Sequence, residues 1–125
     1  MKTVISAAGA PAAIGPYSHA VSVDNLLFTS GQIALDPTTG KLAGDSIEIQ
    51  TEQVLKNLEA VLVANDMTFA NVIKTTVFLV DLADFSVVNG IYATRFPENP
   101  PARSCVQVAG LPGGSKIEIE LIACR

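Results

Sequence analysis

The chain has 125 residues, enough for one domain with a hydrophobic core and too few for two. Its net charge is −4 and its lysines are scattered singly, so it lacks the basic cluster that a nucleic-acid surface needs. No apolar run approaches the roughly 20 residues that cross a bilayer, and no signal-peptide pattern begins the chain. We therefore expect a cytoplasmic protein without a nucleic-acid or membrane partner.

Alternating apolar patterns predict strands and helices that follow one another without a linker. Asp45 is expected to cap a first helix, with Glu48 completing a capping box and Asn65 near its end. Asp84 is expected to cap a second helix, which Pro97 stops. The predicted strands cover residues 3–5, 19–23, 26–35, 72–80, 103–108 and 116–123. The pattern favours an α/β (α+β) class and a single domain over residues 1–125.

Arg103 opens an apolar strand, whereas the other two arginines, Arg95 and Arg125, lie where solvent is expected. An unpaired guanidinium in a dry environment would cost several kcal/mol, so Arg103 needs an anionic partner. Its planar fork fits a carboxylate in two parallel hydrogen bonds. Two interpretations stay open: a structural ion pair with Glu118 or Glu120, or a clamp for an anionic ligand.

Strand alternation predicts where these side chains lie. Arg103 and Cys105 share one face of their strand, and Glu118 and Glu120 share one face of the last strand. The two helices must cover one sheet face, so we expect the arginine, the thiol and both carboxylates together on the other. One intervening strand would leave roughly 10 Å between Arg103 and Glu118, room for a small carboxylate. No third layer covers this half-apolar face, which favours oligomerisation through the sheet.

Single candidate residues also have ordinary structural interpretations. Tyr17 follows a Gly-Pro turn and is more readily a packing aromatic with a satisfied hydroxyl than a catalytic residue. Ser30 could end a strand, and Asn89 could bond helix backbone. No histidine accompanies Cys105 in its motif, so a pocket-wall thiol is favoured over a nucleophile. His19 is the only histidine, which argues against a histidine-based dyad or metal site.

Seven short segments follow one another along the chain in a characteristic order. They are IGPYS at 14–18, SGQI at 30–33, KTTVF at 74–78, DF at 84–85, VN at 88–89, PARSC at 101–105 and KIEIE at 116–120. In order and spacing the chain resembles the RidA (YjgF) family of reactive-intermediate deaminases, and Arg103 matches the arginine that marks the RidA subfamily. The stretch at 98–100 before this arginine is shorter than the family's pattern.

The resemblance implies a chorismate-mutase-like fold, a mixed sheet of about six strands with two helices on one face. It also implies a homotrimer with sites between subunits, and neither cofactor nor metal. The implied activity is that of a hydrolase acting on C–N bonds. It converts 2-imino acids and their enamine tautomers (2-aminoacrylate/2-iminopropanoate, 2-iminobutanoate) to 2-keto acids and ammonia.

The residue types fit such a hydrolysis. Arg103 would hold the substrate carboxylate, and a glutamate would take a proton from the attacking water; the resemblance selects Glu118 over Glu120. Tyr17 and Ser30 would orient the departing amine. The expected substrate-binding residues are Gly31, through its backbone N–H, Asn89, Arg103 and Cys105.

Two other function classes remain. The Arg103 pocket could bind keto acids or other small carboxylates without turning them over, as a regulatory protein would. A translation-inhibiting endoribonuclease is disfavoured by the acidic balance and the single histidine. Keto-acid binding without turnover would favour the former, and salt-sensitive RNA binding the latter.

Overall fold

A computed structural model of the protein describes residues 1–125. One mixed sheet contains β1 (Thr3–Ile5), β2 (Ala20–Val23), β3 (Leu26–Thr29), β4 (Gln32–Ile33), β5 (Val72–Leu79), β6 (Ala102–Gln107) and β7 (Ile117–Cys124). The strand order is β1-β2-β3-β7-β5-β6, and β4 also pairs with β7. Every pair is antiparallel except β5 with β6. The predicted α+β class and mixed sheet are confirmed, and β6 is an edge strand.

The predicted strand over residues 26–35 is two strands, because its ladder with β7 is interrupted. Phe28 pairs with Ile122 and Gln32 pairs with Ile119, so residues 29–31 oppose only two residues of β7. One extra residue in an antiparallel pair is a β-bulge, which bends the strand and redirects its side chains. The bulge lies where the candidate residues of the SGQI segment are found.

The first helix, α1 (Ile47–Ala64), begins one residue later than predicted. Its N-cap is Ser46, whose hydroxyl accepts a hydrogen bond from the N–H of Ile49 at 3.1 Å. The predicted Asp45 cap and its capping box are wrong, since serine caps a helix as well as aspartate and the hydrophobic pattern does not separate neighbouring positions. The helix ends at Asn65, as predicted. Its fully buried apolar residues are Val54, Leu55, Leu58, Val61 and Leu62.

The second helix, α2 (Phe85–Ala93), connects the parallel strands β5 and β6. The predicted cap residue Asp84 occupies the N-cap position but makes no capping hydrogen bond. Asp81 instead accepts the N–H of Ala83 at 2.9 Å and starts a 3-10 turn over Leu82–Asp84. This extra turn displaces the capping role by three residues. No helix of the protein is both long and apolar enough to cross a membrane.

Arg95, which we expected in solvent, binds a carboxylate. Its Nη2 lies 2.7 Å from Oε2 of Glu52 and its Nη1 lies 3.1 Å from Oε1. This bidentate pair joins the end of α2 to α1. Arg95 holds the pKa of Glu52 below its usual value, chiefly through the side-chain hydrogen bond. The expectation failed because the pairing depends on how the two helices pack.

The two faces of the sheet differ sharply. The helix-covered face buries Val77, Leu79, Ile117, Ile119 and Leu121. The opposite face carries Phe28, 37% exposed, and Val106, 43% exposed, with Phe78 and Ile122 partly buried. No element of the chain packs over these aromatic and aliphatic side chains. The predicted half-apolar open face is confirmed.

Candidate active site

The bulge between β3 and β4 brings Gly31 against Glu118. Glu118 is the strand partner of Ile33 in β4, and its carboxylate lies in the space that a side chain at position 31 would occupy. A Cβ on residue 31 would collide with that carboxylate. Glycine is therefore required here for close approach, and the backbone of residue 31 faces the acid.

Glu118 lies on the open face between two apolar neighbours. Its cross-strand partners are Ile33 on one side and Phe78 on the other. Burial raises the pKa of the Glu118 carboxyl, and the negative charge of Glu120, two residues along the same strand face, raises it further. Glu120 itself is exposed. A carboxylate placed among apolar groups is a better proton acceptor than one in water.

A cleft of about 870 Å³ is lined by Tyr17, Ser30, Gly31 and Glu118. We call this cavity the Glu118 cleft. Ser30 lies in the bulge, and its hydroxyl donates to the carbonyl of Ser18 at 2.7 Å. Tyr17 is 49% exposed, and its hydroxyl oxygen accepts the N–H of Ile14 at 3.3 Å. The structure thus places four of the predicted site residues around one cavity. Its remaining walls are largely apolar.

The loop that carries Tyr17 is tied down by His19, a role that the sequence did not indicate. The side chain is buried; Nδ1 accepts the N–H of Ala7 at 2.9 Å, and Nε2 lies 2.7 Å from the carbonyl of Pro11. Since Nδ1 accepts, Nε2 carries the proton and donates it to Pro11. Both ring nitrogens are therefore engaged in holding the loop. The only sequence signal was a lone histidine at the start of a strand.

Arg103 and Cys105 lie on the opposite face of the sheet from Glu118, contrary to the prediction. In the parallel ladder Arg103 pairs with Thr75 and Cys105 pairs with Val77, and both β5 partners are buried on the helix-covered side. Side chains that are direct partners in a ladder share a face. Within one chain the sheet therefore separates the guanidinium from the Glu118 carboxylate.

Arg103 has no carboxylate partner in the chain. Its Nη1 donates to Oδ1 of Asn89 on α2 at 2.7 Å, and the sole ion pair of the protein is the one between Arg95 and Glu52. The interpretation of Arg103 as an ion pair with Glu118 or Glu120 is wrong. Asn89, for which backbone bonding was the structural alternative, instead contacts the guanidinium. Two further neighbours of Arg103, the α2 aromatics Phe85 and Tyr92, were not among the predicted site residues, because their spacing is typical of any apolar helix face.

Cys105 is half-buried beside Arg103. Burial raises the pKa of its thiol, and this effect exceeds the opposing effect of the Arg103 charge. A thiol with a raised pKa stays protonated at neutral pH and is a poor nucleophile. The geometry thus agrees with a wall residue next to the guanidinium.

Comparison with known proteins connects this geometry to a family. The model for the family described as Endoribonuclease L-PSP matches residues 7–125, nearly the whole chain. The chain belongs to the Endoribonuclease L-PSP (RidA/YjgF) family. The resemblance stated from the sequence segments is therefore confirmed.

Relatives within the Endoribonuclease L-PSP family include proteins named as deaminases. The chain is 50% identical over 125 residues to the human 2-iminobutanoate/2-iminopropanoate deaminase, covering 100% of this chain and 91% of that protein. It is 55% identical over 122 residues to Reactive Intermediate Deaminase A, chloroplastic, of Arabidopsis thaliana, covering 98% of this chain and 65% of that protein. Among solved structures, E. coli TdcF with bound serine is 41% identical with a TM-score of 0.93, covering 98% of this chain and 99% of that one.

Proposed function

We propose that this protein hydrolyses 2-imino acids, such as 2-iminopropanoate and 2-iminobutanoate, to 2-keto acids and ammonia. One observation carries the proposal: Arg103 is held by Asn89 with no counter-ion, so its charge stays available for a substrate carboxylate. The names of the 50–55% identical relatives and the serine bound to TdcF support a small ligand with a carboxylate beside nitrogen.

The site combines two copies of the chain, with Arg103 of one copy facing the Glu118 cleft of the next. Separation of the two by the sheet within one chain supports this arrangement, because a small imino acid cannot contact both sheet faces at once. The open apolar face offers the surface for assembly. We propose a homotrimer, in which each head-to-tail interface forms one site and the ring closes.

The proposed reaction adds water to an iminium carbon. Arg103 holds the carboxylate in two parallel hydrogen bonds, and the Gly31 N–H binds one of its oxygens. Glu118 takes a proton from the attacking water as its oxygen bonds to carbon. The nitrogen is then protonated, with Tyr17 and Ser30 orienting it, and the C–N electron pair leaves with ammonia. Loss of the hydroxyl proton gives the keto acid, so the reaction needs only side chains and water.

The proposal extends to the remaining partners and the compartment. Cys105 and Asn89 line the Arg103 side of the site, Cys105 with a protonated thiol and Asn89 through the guanidinium. We also propose that the protein works in the cytoplasm, without nucleic acid as a partner. Both cysteines are free in the structure, as is usual in reducing compartments.

A coupled assay tests the function. A pyridoxal-phosphate dehydratase acting on serine or threonine generates the imino acid in place, and keto-acid release is followed with and without this protein. We expect the protein to accelerate keto-acid formation beyond the spontaneous rate. Binding of 2-ketobutanoate with no acceleration would instead support a non-catalytic carboxylate-binding protein and would contradict the proposal.

A further inference from the structure

Three uncharged side chains of α2 hold the guanidinium of Arg103. Phe85, Asn89 and Tyr92 are spaced by four and three residues and so lie on one stripe of the helix, facing β6. The Cζ of Arg103 is 5.3 Å from the ring centroid of Phe85 and 4.8 Å from that of Tyr92. Nη1 donates to Asn89 at 2.7 Å. We call these three residues the neutral clamp.

Tyr92 is itself fixed by the strand residue beside the arginine. The hydroxyls of Tyr92 and Thr75 are 2.7 Å apart, and the two side chains are 6% and 1% exposed. Thr75 is the direct ladder partner of Arg103. The hydrogen bond to Thr75 therefore fixes the Tyr92 ring relative to Arg103, because Thr75 and Arg103 are direct partners in the sheet. Burial raises the pKa of the Tyr92 hydroxyl, so the ring stays uncharged at neutral pH.

The chain holds the guanidinium groups of Arg95 and Arg103 in contrasting ways. Arg95 is neutralised by a bidentate contact with Glu52. Arg103 is oriented by two rings and one amide, none of which carries a charge, and cation–π contact with aromatic faces is attractive without cancelling the charge. A purely structural arginine is better served by a carboxylate.

We propose that the neutral clamp and Thr75 are positioning residues, which orient Arg103 while leaving its positive charge for the substrate carboxylate. The inference rests on the proposed function, since it assumes that Arg103 binds that carboxylate. It predicts that the clamp residues act on substrate and product affinity through Arg103, and not on the chemical step.

Asn89→Asp tests the need for neutrality. The variant keeps an oxygen for Nη1 but adds an anion that competes with the substrate carboxylate. The Kd for 2-ketobutanoate, measured by calorimetry, should therefore rise roughly tenfold or more. KM should rise in parallel, and kcat should stay nearly unchanged. The melting temperature should stay equal or increase, because the new ion pair stabilises the fold. Ser86→Asp, at an exposed position of the same helix, is the matched charge control and should bind as the unmodified protein does. Unchanged keto-acid affinity in Asn89→Asp would overturn the neutral clamp.

Tyr92→Phe and Thr75→Val test the anchoring of the ring. Each variant removes one oxygen of the same hydrogen bond, so KM should rise about three- to tenfold in either, and by no more in the double variant, since a single interaction is lost. Unchanged KM in both single variants would exclude Thr75 from a positioning role. If the unmodified protein neither binds 2-ketobutanoate nor hydrolyses imines, the proposed function fails. If it does both and Asn89→Asp behaves like Ser86→Asp, the neutral clamp alone fails.

Discussion

The Arg103 side of the sheet and the Glu118 cleft hold opposite charges in different surroundings. Arg103 lies on an edge strand under α2, fixed by an amide and two rings. Glu118 lies on the open face, fixed by a bulge and flanked by Ile33 and Phe78. Neither group has a partner of opposite charge within the chain.

This comparison supports the proposed site between two copies of the chain. A protein that only needed stability would gain from pairing these two charges or from replacing them with apolar residues. Instead the sheet keeps them on separate faces, and burial, followed by the negative charge of Glu120, raises the pKa of the Glu118 carboxyl. If two copies brought Arg103 of one chain close to Glu118 of the other, a substrate bound between them could interact with both charged groups. The following predictions test each side in turn.

Removal of the guanidinium should have the largest effect. Arg103→Ala should abolish measurable imine hydrolysis and 2-ketobutanoate binding, because the substrate carboxylate loses the cation proposed to hold it. The fold and the assembly should survive, since Arg103 makes no ion pair. Arg103→Lys keeps the charge without the fork and should lose about 1–3 kcal/mol of carboxylate binding. The coupled assay, calorimetry and light scattering measure these effects; an alanine variant that no longer folds would favour a structural role.

Substitution of the proposed base should affect turnover and spare binding. Glu118→Gln keeps the size and hydrogen bonding of the side chain but accepts no proton from water, so kcat should fall on the order of 10²–10⁴-fold. Affinity for 2-ketobutanoate should change little, because Arg103 still holds the carboxylate. Glu120→Gln, at the exposed position on the same strand face, is the matched control and should be much milder. A larger loss at Glu120 would show that the wrong glutamate was chosen.

Mixing the two inactive variants should restore activity if the site combines two copies. In trimers co-refolded from equal amounts of Arg103→Ala and Glu118→Gln, about a quarter of the interfaces would pair an intact Arg103 with an intact Glu118 cleft. Keto-acid release should therefore recover to about a quarter of the unmodified rate, given a head-to-tail interface.

A control for this mixture uses two variants of the same side. Gly31→Ala places a Cβ against Glu118, so every cleft in a mixture with Glu118→Gln still carries one defect. That mixture should stay inactive. If the Arg103→Ala and Glu118→Gln mixture stays equally inactive while forming trimers, the two-copy site is wrong.

The sequence predicted the Glu118 side better than the Arg103 side, and the reason is physical. In β7 the apolar residues Ile117, Ile119 and Leu121 alternate with glutamates. Because successive side chains of a strand point to opposite faces, this alternation predicted the face on which Glu118 lies. In β6 no residue is fully buried, because an edge strand is partly exposed on both faces. Because Arg103 was expected on the open face, alternation placed Val106 on the helix-covered face, whereas Val106 lies on the open face beside Phe78.

Features that depend on contacts between distant segments also could not be predicted from the sequence. The Ser30–Gly31 bulge depends on how β3 and β4 pair with β7, and an apolar run of residues does not encode it. The contact of Asn89 with Arg103 depends on the packing of α2 against β6. Of the neutral clamp, Asn89 was a predicted substrate-binding residue through the family resemblance. Phe85 and Tyr92 show only a helical spacing of apolar residues, which is typical of any buried helix face.

A smaller effect is expected on the pH dependence of activity, and it separates the two causes that raise the pKa of Glu118. Because the pKa of Glu118 is raised, first by burial and then by Glu120, the base becomes protonated at a higher pH than an ordinary glutamate as the solution is acidified. The acid limb of kcat/KM should therefore lie above the usual range for glutamate. Glu120→Gln removes only the second cause, so the limb should move to lower pH while the plateau rate stays nearly constant.

The raised pKa of Glu118 favours its role as a base but predicts a cost to stability at neutral pH. A carboxyl that binds its proton more tightly when folded destabilises the native state once it ionises, so this penalty is absent at low pH and grows as the pH rises through the folded-state pKa. Glu118→Gln should thus melt at the same temperature as the unmodified protein in acid, and slightly higher at neutral pH. Thermal melts across the pH range measure this difference, with Glu120→Gln as the comparison. A Glu118→Gln variant that is less stable at neutral pH would mean that the ionised carboxylate is compensated in the assembled protein, and that its pKa is not raised there.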